Sequence, residues 1–330
     1  MTQESVHEAL VRLADRLWPG ASIDGATRLS GGATQETWSF DVVQGEERRG
    51  FILRRRAQGK RVQTEGMDLS DEARVIAIVR EAGVPAPEVE YVLSTEDGLG
   101  DGFIMHRIEG ETIPARILRE PRFGSARQVM ARQCGEILAR IHRVKIEALP
   151  PLGAFDADSE VDRLTRSVET GANPRPVFVL ALRWLRQNRP VEEGRRVLTH
   201  GDFRMGNLMI GEEGIRAVLD WELARIGDPM SDLAWLCVPS WRFGRIDQPV
   251  GGVGVREDLF VAYEAASGKR VDRAAVRFWE VVGALRWGLI CESNLAALRN
   301  EQPISVERAV IARRSSETEI DLLRYMAGLE

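Results

Sequence analysis

The stretch THGDFRMGNLMIGEEGIRAVLDWE, residues Thr199–Glu222, decides how this chain is read. Two carboxylates and an amide flank a short loop that contains glycine. Asp202 stands five residues before Asn207, and Asp220 follows thirteen residues later, after the apolar run Ala217, Val218, Leu219. HGDFRMGN lies between RRVLT and LMI, both short strand-like runs, so its polar residues fall on an exposed loop. IRAVLD reads as a further strand that ends on Asp220. Taken singly, Asp202, Gly206 and Asn207 are ordinary turn residues. The ordered set is far more specific: His-Gly-Asp, an Asn five residues on, then a strand and Asp-x-Glu.

Outward from this stretch, the 330-residue chain exceeds what one core usually fills, which points to two lobes. An apolar content of 44% and a charged content of 29% describe an ordinary globular protein. The net charge of −5 argues against a dedicated nucleic-acid binder. The basic run Arg48, Arg49, Arg54, Arg55, Arg56, Lys60 and Arg61 is interrupted on its N-terminal side by Glu46 and Glu47 and partly alternates across a strand. Only three lysines occur, Lys60, Lys145 and Lys269, so a site that ordinarily uses lysine needs a substitute. Cys134, Cys237 and Cys291 lie far apart with no CxxC or His-x-x-x-His spacing, which excludes the usual zinc and disulfide frameworks and suits a reducing cytoplasm. The N-terminal MTQESVHEALVRLADRLWPG reads as an amphipathic helix, not a signal peptide, and no apolar run reaches about 18 residues. The expectation is a soluble cytoplasmic protein with no membrane partner. The oligomeric state is left open.

Along the chain, Leu10, Leu13 and Leu17 mark a first helix closed by Pro19 and Gly20. ETWSFDVV and GFILR are expected antiparallel strands, preceded by a turn at Ser30, Gly31 and Gly32. SDEARVIAIVREAG predicts a helix capped by Ser70 and ended by Gly83. VPAPEVEYVL and GFIMHRIEG are two more strand candidates. After Gly110 the spacing of Val129, Met130, Cys134, Ile137, Leu138 and Ile141 becomes helical, and beyond residue 229 nearly everything reads as helix. A strand-rich first third thus leads into a helix-rich remainder: an α+β chain with a lobe of residues 1–105, a crossover at 106–110, and a helical lobe of residues 111–330. Ligand clefts favour such junctions.

The spacing from Asp202 to Asn207 matches the Asp-x-x-x-x-Asn of a kinase catalytic loop. In that chemistry one carboxylate orients the acceptor hydroxyl and takes its proton. An Asn oxygen and a second carboxylate hold Mg²⁺ against phosphate oxygens. No Gly-x-x-x-x-Gly-Lys-Ser/Thr is present, which counts against a P-loop NTPase.

These residues, with LSGGATQETWSFD, FILRRR, DEARVIAIVREAGVPAPEV, FIMHRIEG, AVLDWELARIGDPMSDLAWLCVPSWRFG and GGVGVREDLFVAYEAASGKRVD, resemble the aminoglycoside phosphotransferase/choline kinase superfamily over residues 28–285. The similarity extends to the kinase-like region fused to certain acyl-CoA dehydrogenases. The resemblance implies a protein-kinase-like two-lobe fold with a small antiparallel-sheet N-lobe and a larger helical C-lobe. It implies Asp202 as catalytic base, Asn207 and Asp220 as magnesium ligands, and ATP or GTP as phosphoryl donor. His200 would brace the loop, Asp232 would bond loop backbone, and Glu222 would either help the metal site or stay solvated. Arg204 would meet phosphate or an anionic acceptor. Ser30, Gly31 and Gly32 would cover the phosphates, and Met105, His106 and Ile108 would offer backbone groups to the purine.

One departure stands out: Arg54 occupies the position where the family usually has lysine, with Glu72 as its matching acid. Arginine supplies the charge but in a fork, not a point. Lys60 follows shortly after. The implied acceptor is a small-molecule hydroxyl. Arg242 and Arg245 beside Trp241 and Phe243 favour a neutral or anionic hydroxyl substrate, although SWRFG equally reads as a packed corner. The resemblance to the acyl-CoA-dehydrogenase-fused relatives implies a hydroxyacyl compound or its CoA thioester. Two alternatives stay open. An aminoglycoside or other amino-alcohol kinase would call for an acidic pocket. A catalytically silent nucleotide-binding scaffold would predict loss of Asp202, Asn207 or Asp220, all of which are present.

Overall fold

The computed structural model describes residues 3–29, 35–56, 67–171, 173, 175–191, 196–300, 302 and 305–329. The expected phosphate-covering turn Ser30, Gly31, Gly32 and the residue Lys60 lie outside them. The N-terminal part is helix α1 (Gln3–Leu17) and a five-stranded antiparallel sheet of β1 (Ser22–Arg28), β2 (Glu36–Gln44), β3 (Glu47–Arg55), β4 (Val89–Val92) and β5 (Gly102–His106), with helix α2 (Leu69–Glu81) between β3 and β4. The strand order is β1-β2-β3-β5-β4, so β5 is an inner strand flanked by β3 and β4 rather than an edge.

Alternation along the strands divides the sheet into two faces. Trp38, Phe40 and Val42 of β2, with Phe51 and Leu53 of β3, pack under α1 against Val6, Leu10 and Leu13. Arg54 lies on the opposite face, where α2 packs, because neighbouring side chains in a strand point apart. Phe103 of β5 joins Leu69, Ala73 and Ile76 of α2 in the large core that continues into the helical part. Arg55 turns to the α1 face with its side chain fully buried and pairs with Glu36 at 3.3 Å. Arg48 is held by Asp24 and Asp41, so part of the basic run is neutralised within the sheet.

Three local expectations are corrected. Helix α2 begins at Leu69 with Asp68 in the cap position, so Ser70 lies inside the first turn and does not cap it. The strand expected over VPAPEVEYVL shortens to Val89–Val92, because Pro85 and Pro87 cannot donate to a ladder. Strand β1 was not anticipated. SIDGATR is largely exposed and lacks apolar alternation, and it joins the sheet through backbone pairing to β2 with a register shift between Asp24 and Thr27.

The C-terminal part is mostly helical: α3 (Pro114–Arg119), α4 (Gly124–Ile141), α5 (Ala157–Glu169), α6 (Pro176–Gln187), α7 (Met230–Cys237), α8 (Arg256–Ser267), α9 (Arg273–Arg299), α10 (Val306–Ala312) and α11 (Ser315–Ala327). Two short antiparallel pairs carry the loops of interest. Strand β6 (Val197–Thr199) pairs with β9 (Arg225–Gly227), and β7 (Leu208–Gly211) pairs with β8 (Gly214–Val218). Helix α9 is long and apolar enough by composition to cross a membrane. Here it is a core helix: Phe278, Val281, Ala284 and Leu285 are buried, and it packs on α5, α6, α7, α10 and α11.

Helices α4 and α8 pack closely because Gly135 lets their backbones meet. A Cβ there would strike the Leu259 carbonyl and come within 2.8 Å of the Tyr263 nitrogen. Gly135→Val is therefore expected to push the helices apart and cost about 2–3 kcal/mol by overpacking. The cost should appear as a lower urea midpoint followed by circular dichroism; an unchanged midpoint would show that the contact yields.

Candidate functional site

The loop after β6 is shaped by one buried carboxylate. Asp232, in the first turn of α7, accepts the His200 backbone N–H at 2.8 Å and the Gly201 N–H at 3.0 Å. Its Oδ2 also lies 3.2 Å from His142 Nε2, and His142 Nδ1 is 3.0 Å from the Tyr263 hydroxyl. Burial pushes the Asp232 carboxyl up, but the hydrogen bond from His142 and the neighbouring histidines outweigh it and hold the group below the usual carboxylate range. Gly201 has φ +78°, and a Cβ would collide with the Leu223 carbonyl, so only glycine fits this corner.

His200 carries the restraint onward. Its Nδ1 accepts the Asp202 backbone N–H at 3.2 Å, so Nε2 bears the proton and donates to the Leu219 carbonyl at 3.0 Å. Its ring packs 4.6 Å from that of the buried Trp221. The loop that holds Asp202 is thereby tied to the residue just before Asp220.

Around Asp202 the groups converge. Trp235 Nε1 donates to Asp202 Oδ1 at 2.7 Å, and Asn207 Nδ2 donates to Oδ2 at 2.7 Å and to the Asp202 carbonyl at 2.9 Å. Arg204 Nε reaches both carboxylate oxygens, at 3.1 and 3.2 Å, while its guanidinium lies over Trp241 at 5.1 Å. With its amide nitrogen spent on Asp202, Asn207 presents Oδ1 as the group left for a cation. The antiparallel register Leu208↔Val218 sets Asn207 opposite Leu219, whose N–H donates to the Asn207 carbonyl at 2.8 Å. Asp220 follows directly, at φ +64°, a left-handed conformation uncommon outside glycine. This turn comes one residue after the Asn207–Leu219 pairing, and the Asp220 side chain meets Arg54.

Arg54 arrives from the sheet. Its Nη2 donates to Asp220 Oδ1 at 2.6 Å and to Glu222 Oε2 at 3.1 Å, and its Nε stands 3.2 Å from Glu72 Oε2. Gln35 Nε2 also donates to Glu222, at 3.0 Å. One guanidinium thus bridges three carboxylates from α2 and the segment after β8. Burial pushes the Glu72 carboxyl up to about 7, only partly offset by Arg54. Burial, then the nearby Asp220, raises Glu222 as well.

The sequence-predicted residues separate on these facts. The structure brings Asp202, Arg204, Asn207, Asp220, Glu222, Arg54 and Glu72 into one cluster at the junction of the sheet and the helices. In the crossover, the His106 backbone N–H is committed to the Glu88 carbonyl at 2.8 Å and the Arg107 N–H to Gly50 at 2.9 Å. The His106 N–H is therefore a sheet group rather than a free donor for a purine. Its side chain turns to Glu90 and Phe51 on the α1 face. Arg242 follows the packed-corner reading of SWRFG: Nε and Nη2 donate to the Cys237 carbonyl at 3.2 and 2.9 Å, so it closes the corner after α7. Arg245 likewise donates to the Leu118 carbonyl.

Two participants were missed by sequence reasoning. Trp235 holds Asp202, and Arg286 of α9 donates to the Gly201 carbonyl at 3.3 Å while lying over Trp235 at 4.8 Å. The available signal for Arg286 was a single charge inside the apolar run VVGALRWGLIC.

Comparison with known proteins gives the family and the fold. The sequence profile described as the phosphotransferase enzyme family matches residues 25–279. The chain is 29% identical over 204 residues to acyl-CoA dehydrogenase family member 10 of Mus musculus, covering 58% of this chain and 18% of that protein. It is 26% identical over 316 residues to an Arabidopsis thaliana protein named as an acyl-CoA dehydrogenase, IBR3, covering 85% of this chain and 38% of that one. The chain therefore spans well under half the length of these relatives. In fold it is similar to a choline/ethanolamine kinase family protein of Mesorhizobium loti, with TM-score 0.64, 19% identity, and coverage of 99% of this chain and 98% of that one. It is also similar to a spectinomycin phosphotransferase solved with ADP and spectinomycin, with TM-score 0.65, 12% identity, and coverage of 96% and 98%. These structures share the sheet-then-helices architecture.

The buried Glu72 yields a pH prediction. A carboxyl whose folded pKa stands near 7, above the ordinary 4.5, contributes stability that is fully present below the ordinary value and lost as pH rises through about 7. Glu72→Gln removes that titration. The stability of the native chain relative to this variant should fall by about 2 kcal/mol between about pH 5 and pH 8. Thermal melts of both proteins across that range check it, and a constant difference would refute it.

Proposed function

The chain belongs to the phosphotransferase enzyme family, and on that premise we propose that it moves the γ-phosphoryl group of ATP or GTP to a hydroxyl of a small molecule, with Asp202 as base. The observation that carries this reading is the convergence on Asp202. Trp235, Asn207 and Arg204 fix both carboxylate oxygens, and the β7–β8 register sets Asn207 opposite Leu219, the residue before Asp220. In the reaction the acceptor oxygen forms a bond to the γ-phosphorus as the bond to the β-phosphate bridging oxygen breaks. Asp202 accepts the hydroxyl proton. Positioning and charge, not covalent chemistry, carry such a transfer.

The donor set suits magnesium. Among the described residues no three His, Cys, Asp or Glu converge into a cage. One amide oxygen and one carboxylate are what a magnesium ion shared with phosphate oxygens and water requires. Asn207 Oδ1 and Asp220 are the residues that would hold it. Bound there, the ion neutralises phosphate charge. Asp220 and Glu222 share the one guanidinium of Arg54 among the described residues, which leaves carboxylate charge for a cation. Arg54 takes the place of the usual lysine. Its tie to Asp220 must loosen as phosphate oxygens arrive, while Nε keeps its pairing with Glu72. The spectinomycin phosphotransferase of like fold was solved with ADP, which supports a nucleotide donor. The acyl-CoA dehydrogenase relatives favour a hydroxyacyl compound or its CoA thioester as acceptor.

Two outcomes test the reading, each with magnesium and a panel of hydroxylated metabolites that includes hydroxyacyl-CoAs. Asp202→Asn should lower kcat by about 10²- to 10⁴-fold while nucleotide affinity, read by calorimetry, stays within a few-fold. Undiminished turnover would overturn the assignment. Arg54→Met should weaken nucleotide binding by at least about tenfold and cost about 3 kcal/mol of stability, because three carboxylates lose their shared cation. Arg54→Lys should restore most of the binding, and equal nucleotide affinity in all three proteins would remove Arg54 from the phosphate site.

A further inference from the structure

Behind the Asp202 loop, a cleft of about 600 Å³ opens between α5 and α9, within the range of small-molecule sites. Its apolar floor includes Leu164, Phe178 and Leu289, and three arginines line it: Arg163, Arg175 and Arg286. Two of the three are already neutralised. Arg163 pairs with Glu160 at 2.8 Å, and Arg175 pairs with Glu292 at 2.6 Å and Glu319 at 2.8 Å.

Arg286 differs. Among the described residues it has no carboxylate within 4.0 Å, and its hydrogen bond is the long one, 3.3 Å, to the Gly201 carbonyl. It lies over the Trp235 ring, and the same indole donates to Asp202. It also lines the small hollow of about 30 Å³ beside Gly201, Asp232 and Trp235. Asp202 and Glu160 act on its charge only through space, so among the described residues most of its five N–H donors stay open to an anion in the cleft. Its fork matches a carboxylate or a phosphate in two-point hydrogen bonding.

We propose that Arg286 anchors an anionic group of the acceptor, so that the molecule lies in the α5–α9 cleft with its hydroxyl directed to Asp202 and its negative charge read by this arginine. Arg286 is then a specificity residue. The acceptor class is a hydroxylated, partly apolar molecule bearing a carboxylate or phosphate, not a polycationic amino sugar. This rests on the phosphotransferase reading for the reaction but not for the binding.

Calorimetric titration without nucleotide tests it with three matched probes: ω-hydroxydecanoate, ω-hydroxydecanamide and decanediol monophosphate. At least one anionic probe should bind the native protein about ten- to a hundredfold more tightly than the amide, as expected for a charge-assisted hydrogen bond. Which anion wins tells carboxylate from phosphate. In Arg286→Gln the gap should shrink to within about threefold while amide binding is unchanged, and Arg286→Lys should retain part of it. Equal binding of amide and anions to the native protein overturns the proposal. So does an equal loss for all probes in Arg286→Gln, which would mark a merely structural arginine, or the failure of every anionic probe to bind. Should Arg286→Gln fail to fold, the comparison of Arg286→Lys with the native protein decides by the same criterion. An anion preference without consumption of ATP or GTP would sink the phosphotransfer reading and leave the anion site standing. Turnover without that preference would do the reverse.

Discussion

The site depends on the carboxylate of Asp232. A charge buried this deeply is tolerated only when its oxygens are fully engaged, and the partners available are two consecutive backbone N–H groups, those of His200 and Gly201, together with His142. Meeting that demand bends the chain at Gly201, sets the His200 ring, and through it couples the Asp202 backbone to the Leu219 carbonyl. The backbone of the Asp202 loop is thus tied to the segment before Asp220 by a restraint that begins in the first turn of α7 and passes through one imidazole.

The second constraint is electrostatic and joins the sheet to the helical part. Arg54 can meet Glu72, Asp220 and Glu222 at once because a guanidinium offers five N–H donors in a plane. A lysine ammonium would reach fewer of these groups in the same geometry. Substituting arginine in a chain nearly free of lysine therefore changes what the position does: it locks the acids together as well as supplying charge. Burial first, and then the neighbouring acids, raise the pKa of Glu72 and Glu222.

Much of the candidate site was legible along the chain because its residues are close in sequence. Asp202 and Asn207 share a loop, and Asp220 lies two residues past the strand that pairs back on it rather than at its end as expected, so local spacing carries most of the geometry. Period-two alternation in ETWSFDVV and GFILR and helical spacing in α4 marked the sheet and the helical part for the same reason. The weak points were also physical. β1 is an exposed strand whose pairing is made by backbone, and backbone hydrogen bonds leave no signature in side-chain pattern. Ser70 has the chemistry of a cap but lies one residue inside the helix, and such boundaries shift by a residue or two without changing the composition.

The sequence by itself determined the order of sheet and helices and the grouping of Asp202, Asn207 and Asp220 along the chain, since each is written in residue type and short-range spacing. Only the tertiary structure decided which arginines are spent and which are available. Arg242 closes a helix end against the Cys237 carbonyl, whereas Arg286, 84 residues beyond Asp202, comes to lie against the same loop. Nothing local distinguishes the two guanidinium groups. Their partners come from segments far away in the chain, and burial, counter-ions and reach toward Asp202 exist only once α5, α7 and α9 have packed.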